Sequence, residues 1–159
     1  MSIEIQQLQA PGIDRLPDPI TVQAAELLIA EVLSEDGTVA DLVREAFIEH
    51  MGDEHRRVYA VVDGPQVLAA IAIELAPNYT FITALATHPD HRRQGHAGAL
   101  ICRIAEETIA HDVTGENPVT SYTNTPVPEL YAKFGFREVT EDDYTELVAS
   151  PQTILSRRA

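Results

Sequence analysis

Residues 80–101 read TFITALATHPDHRRQGHAGALI. β-Branched and aromatic residues crowd Thr80 to Thr87, which fits a strand. Pro89 closes it, and a polar stretch leads past Gly95 into Ala97 to Ala110, where Leu100, Ile101, Ile104, Ala105 and Thr108 form an apolar stripe at helical spacing. A strand joined to a helix by such a turn leaves the first helical N–H groups without intrahelical partners. It also aims the positive end of the helix dipole at the turn. Gly95, Ala97 and Gly98 carry little side chain, so a phosphate can come close to the backbone. The same glycines equally permit a tight turn and close helix packing, with Arg92 and Arg93 as solvated charges.

Those arginines stand out because the chain is acidic. Eleven Lys and Arg against 25 Asp and Glu give a net charge of −14 over 159 residues. Such a surface repels a phosphate backbone and an anionic lipid face, so neither nucleic acid nor membrane is expected as a partner. An anionic ligand needs a local reversal of sign, and residues 92–93 provide one. The length and the 45% apolar content predict a single globular domain over residues 1–159. One cysteine, Cys102, excludes an internal disulfide and a Cys-rich zinc site, and reads as a buried, inert thiol. The N-terminus shows no basic region followed by an apolar run, and no stretch of about 18 apolar residues occurs, so a cytoplasmic location is expected. Gly-Lys-Ser/Thr and an early G-x-G-x-x-G are both missing, which disfavours a kinase or a dehydrogenase. His88, Asp90, His91 and His96 lack helix-spaced ligand pairing, so no metal is expected.

Outward from this stretch, Val58 to Val62 and Val67 to Leu75 predict a hairpin around Asp63-Gly64-Pro65-Gln66. Ile3 to Leu8 and Val119 to Tyr122 predict further strands, as do Phe136 to Val139 and Thr153 to Ser156. Helices are expected over Ile20 to Leu33, Val39 to Met51 and Pro128 to Phe134. The order predicts a mixed α/β layer structure.

Arg92-Arg93-Gln94-Gly95-His96-Ala97 resembles the R/Q-x-x-G-x-G/A signature of the Gcn5-related N-acetyltransferases, the GNAT family. Tyr131-Ala132-Lys133-Phe134-Gly135-Phe136 is similar to the Tyr-x-x-x-Gly-Phe ending of that family's second motif, with Asn124 seven residues before the tyrosine. The resemblance covers roughly residues 80 to 139. It implies the GNAT fold: a twisted, mostly antiparallel sheet of about six to seven strands with about four helices, splayed between two parallel central strands at Thr80 to Thr87 and Val119 to Tyr122.

It further implies acetyl-CoA as cosubstrate and an amine as acceptor, attacking the thioester directly. Backbone groups of Leu85, Ala86 and Thr87 would meet the pantetheine, and Arg92, Arg93, Gln94, Gly95, His96, Ala97 and Gly98 would surround the pyrophosphate. Asn124 would also contact the cofactor, and Tyr131 would protonate the leaving sulfur. A phenol, with an ordinary pKa near 10, holds its proton at neutral pH. Where several relatives carry a Glu five residues before the Asn, this chain has Val119, so no base is carried over. Glu74 is the candidate nearest by topology and His88 the nearest by sequence, with a water chain as the other route. Glu141, Asp142, Asp143 and Glu146 would suit a cationic acceptor, or are simply a solvated loop in an acidic protein. The family leaves room for a homodimer. The missing carboxylate at Val119 keeps a second reading open, a non-catalytic module that binds acyl-CoA for regulation.

Overall fold

The computed structural model describes residues 3–8, 19–32, 55–112, 114–123, 125 and 127–158. The helix expected at Val39 to Met51 and the cofactor contact expected at Asn124 lie outside these residues. In chain order the elements are β1 (Ile3–Leu8), α1 (Pro19–Val32), β2 (Arg56–Asp63), β3 (Gln66–Leu75), β4 (Thr80–Thr87), α2 (His96–His111), β5 (Val119–Tyr122), α3 (Pro128–Lys133), β6 (Arg137–Glu141), β7 (Tyr144–Ala149) and α4 (Pro151–Ser156). A short 3-10 turn, Pro89–His91, precedes α2. The strands form one seven-stranded sheet in the order β1-β2-β3-β4-β5-β7-β6. This is the splayed, mostly antiparallel GNAT fold that the motifs imply.

Every neighbouring pair is antiparallel except β4 and β5, which run parallel. That pairing lasts for three residues, Thr80 with Val119, Phe81 with Thr120 and Ile82 with Ser121. Beyond Ile82 the two strands part. A bulge lies at the parting point: Ile73 faces Ile82 while Ala72 faces Ala84, so Thr83 is the extra residue. Such an insertion bends its strand and increases the local twist. The Thr83 hydroxyl donates to the Ala72 carbonyl at 3.1 Å and so takes up an acceptor that the ladder has disturbed.

The sheet is buried on both faces, which is why β2 and β3 read as nearly unbroken apolar runs. On one face Tyr59, Val61, Ile71, Ile73 and Ile82 pack with Leu100, Ile101 and Ile104 of α2 and Ile154 of α4. On the other, Val58, Ala60, Val62, Ala70 and Ala72 pack with Ala24, Ala25 and Leu28 of α1. The Thr108 hydroxyl, 2.9 Å from that of Thr80, ties the end of α2 to the start of β4.

Two features at the C-terminus correct the sequence reading. Thr153 to Ser156 belong to α4, not to a strand. The Ser150 side chain accepts from the Thr153 N–H at 3.1 Å, and Pro151 takes the first helical position, so capping overrides the β-branched pair Thr153-Ile154. The last strand is instead Tyr144–Ala149, which forms a hairpin with β6. Glu146 therefore sits within β7 rather than in a loop. Among the described residues no helix is long and apolar enough to cross a membrane.

Candidate active site

Among the described residues, the parting of β4 from β5 leaves one edge of β4 from Ala84 to Thr87 without a neighbouring strand, and unsatisfied backbone groups of that kind seek partners. Tyr131 reaches the apex of this gap. It is carried by α3, starting at Pro128, and is 2% exposed. Its ring meets Phe136 edge to face with centroids 5.0 Å apart, fixing the ring from the side of the Tyr-x-x-x-Gly-Phe motif. Its hydroxyl lies 3.4 Å from Ser121 Oγ, which is also 3.2 Å from the Ile82 carbonyl oxygen. Ser121 has one proton for these two oxygens, and when it donates that proton to the phenol oxygen the Tyr131 proton is left unengaged by Ser121. Ile82 and Ser121 are the last parallel pair before the gap, so the phenol marks its vertex. Burial pushes the Tyr131 pKa above 10, against the smaller opposing effect of the Ser121 hydrogen bond.

At the mouth of the gap stands the N-terminus of α2. Gly95 caps it with φ +85°, and no side chain closes the cap. Arg93 also adopts a left-handed conformation, with φ +64°. A Cβ built on Gly95 would meet nothing within 4 Å, so its glycine answers to backbone conformation and keeps the space above the turn open. Gly98 differs. A Cβ there would stand 2.9 Å from the Phe134 ring, so the missing side chain makes room for α3 to dock. His96 is held by Gln94, Nε2 to Oε1 at 3.1 Å. Burial, and secondarily the nearby His91, lowers the His96 pKa below 6.5.

A cavity of about 670 Å³ lies between the N-terminus of α2 and the free end of β4, with neither Tyr131 nor Gln94 in its lining. Leu85, Ala86, Thr87, Arg92, Arg93, Gly95, His96, Ala97 and Gly98 all line it, so the motif residues converge on one space. Sequence reading missed Lys133, which also lines it, although it stands inside the quoted Tyr131–Phe136 motif. It missed Ser121 and Thr83 too. Their contribution depends on which strands pair, and no local pattern discloses that. A bare helix N-terminus, cations and an open strand edge fit a chain-like ligand with a diphosphate group, as coenzyme A is.

Glu74 is placed elsewhere. It lies on β3 opposite Phe81, one strand from the gap. Its neighbours Ile73 and Leu75 face the α2-side core, so Glu74 projects from the opposite face to Tyr131. His88 is bound into its own turn, accepting from the Asp90 N–H at 3.1 Å through Nδ1. Among the described residues no three His, Cys, Asp or Glu side chains converge to hold a metal. Cys102 is buried.

These features together define a GNAT-type domain. The family described as FR47-like protein matches residues 58–145, more than half of the chain, and the chain belongs to this family of GNAT type. Similar solved structures include Tetrahymena GCN5, with a TM-score of 0.66 and 12% identity over 93% of this chain and 94% of that one. Another is the spermidine/spermine N-acetyltransferase SpeG from Vibrio cholerae, with a TM-score of 0.63 and 15% identity over 99% and 100%. A third is the PaiA N-acetyltransferase from Thermoplasma acidophilum in complex with coenzyme A, with a TM-score of 0.63 and 12% identity over 93% and 98%. No curated protein matches the chain in sequence.

Proposed function

We propose that the chain is an N-acetyltransferase that moves an acetyl group from acetyl-CoA to a primary amine, with Tyr131 as general acid. The observation that carries this reading is the position of the Tyr131 hydroxyl at the vertex where β4 and β5 part. Acetyl-CoA supplies an acyl thioester. The N–H groups at the start of α2 bind its diphosphate, and Arg92, Arg93 and Lys133 add positive charge around it. The free edge of β4 at Leu85, Ala86 and Thr87 aligns the pantetheine arm by backbone hydrogen bonds. Asn124 is assigned to the same ligand by its place in the motif.

Tyr131 holds its proton on Oη at neutral pH because burial raises its pKa, and gives it to the sulfur as the C–S bond breaks. The acceptor ammonium gives up two protons in all. One is released to solvent before attack, and the other balances the proton that Tyr131 hands over. Glu74 is the carboxylate assigned to relay the first of these to solvent, from the face opposite Tyr131.

Release of free thiol from acetyl-CoA in the presence of a panel of amines tests the proposal. The wild type is expected to turn over at least one amine, and Tyr131→Phe to retain CoA affinity. Binding of CoA with no thiol release for any amine would make the chain a non-catalytic acyl-CoA-binding module instead.

A further inference from the structure

The face of the sheet opposite Tyr131 brings together four side chains that acyl transfer by Tyr131 leaves unexplained as a group. Strand alternation fixes where they point. Ile82 packs in the α2-side core, so Phe81 faces away from it. Ser121 contacts Tyr131, so Tyr122 faces away. Leu147 packs in the same core, so Glu146 joins Glu74 on the outer face. The register then aligns them across four adjacent strands: Glu74 lies directly opposite Phe81, and Tyr122 directly opposite Glu146. The two rings meet edge to face, with centroids 4.7 Å apart and planes at 88°. An aromatic pair is thus flanked by a carboxylate on each side.

The location is as informative as the composition. Phe81 immediately precedes Ile82 and Tyr122 immediately follows Ser121, the last pair before the strands part. Tyr131 approaches the vertex from one face, and the aromatic pair borders it on the other. Tyr122 is 47% exposed. Neither Glu74 nor Glu146 has a hydrogen-bond or ion-pair partner among the described residues. Arg56 stands directly opposite Glu74 on the same face without forming an ion pair with it among the described residues, and Arg57 is engaged on the other face with Glu107 and Tyr59. Aromatic faces and unpaired carboxylates both attract cations and disfavour an anionic ligand.

We propose that Phe81, Tyr122, Glu74 and Glu146 form the acceptor subsite and select a linear aliphatic amine that carries a second ammonium group. The reacting amine sits at the vertex, and the second ammonium rests against the ring pair and Glu146. This rests on the acetyl transfer proposed above and narrows its acceptor to a class.

The test compares an n-alkyl monoamine with the α,ω-diamine of equal length, in the full chain with acetyl-CoA. The diamine is expected to show kcat/KM about tenfold higher, the size of one cation–π contact joined to one charge pair. Glu146→Gln and Tyr122→Leu should each bring the ratio towards one by raising KM for the diamine. Glu138→Gln, an exposed carboxylate on β6, should leave the ratio as in the wild type. Equal kcat/KM for the two amines in the wild type would overturn the subsite while leaving acetyl transfer intact. If no amine is turned over, acetyl transfer fails, and calorimetry of the diamine on the CoA-loaded protein still decides the subsite. Saturable binding weakened about tenfold by Glu146→Gln supports it, and no binding overturns it.

Discussion

As the general acid proposed above, the Tyr131 hydroxyl has to keep its proton through substrate binding and give it up when sulfur leaves. Burial serves the first need by raising the phenol pKa above 10, and a Ser121 hydrogen bond donated to the phenol oxygen leaves the Tyr131 proton free for the second. Tyr131→Phe is expected to lower kcat about 10²-fold, the lower end for loss of a general acid. Its melting temperature should change little, because only a buried hydroxyl contact worth about 1 kcal/mol is lost. Because the pKa moves upward, the wild-type rate should show no alkaline decline from this group below about pH 10.

His96 titrates with the opposite sign. Burial and His91 lower its folded pKa below 6.5, so its neutral form favours the folded state. That stability is present above pH 6.5 and is lost as pH falls through the folded value. Melting temperatures measured at pH 7.5 and pH 5 should therefore differ more for the wild type than for His96→Gln.

At the scale of elements, the strand–turn–helix unit from Thr80 to His111 was legible because strand and helix periods change over on either side of Gly95. The hairpin of β2 and β3 was legible from its turn. The end of the chain was not: Thr153 and Ile154 have strand propensity, and the Ser150-Pro151 cap outweighs it. Strand β7 was hidden because Glu146 reads as loop chemistry until pairing with β5 and β6 defines its face. The motif residues lining the cavity could be named from the sequence, but not why each is there. Gly95 and Gly98 look alike in sequence, yet Gly95 serves a positive φ and Gly98 serves the packing of Phe134.

That difference can be measured. Gly98→Ala should destabilise the fold by about 1–3 kcal/mol, the usual range for overpacking. Adding Phe134→Leu should recover part of the loss, giving a favourable coupling in a double-mutant cycle read by denaturant unfolding. Additive effects would show that the two residues do not compete for the same space.

For the molecule as a whole, a net charge of −14 opposes an anionic cosubstrate and favours a cationic acceptor. The two substrates should respond oppositely to salt. Between about 10 mM and 150 mM, where the Debye length falls from about 30 Å to about 8 Å, CoA association should quicken as the long-range repulsion is screened. Over the same range KM for the diamine should rise. Stopped-flow binding and steady-state kinetics read the two effects, and a parallel weakening of both would mean that the local cations around the cavity, not the net charge, govern CoA binding.

The central claim is that the open turn at the start of α2 holds the diphosphate of coenzyme A. Nothing lies within 4 Å of a Cβ added at Gly95, so Gly95→Glu should fold, with strain of about 1–2 kcal/mol from its positive φ. Calorimetry of CoA binding to this variant and to the wild type, each shown to be folded by its thermal melt, is the direct measurement. At least a tenfold loss of affinity in Gly95→Glu is predicted, and equal affinity in the two proteins would contradict the account.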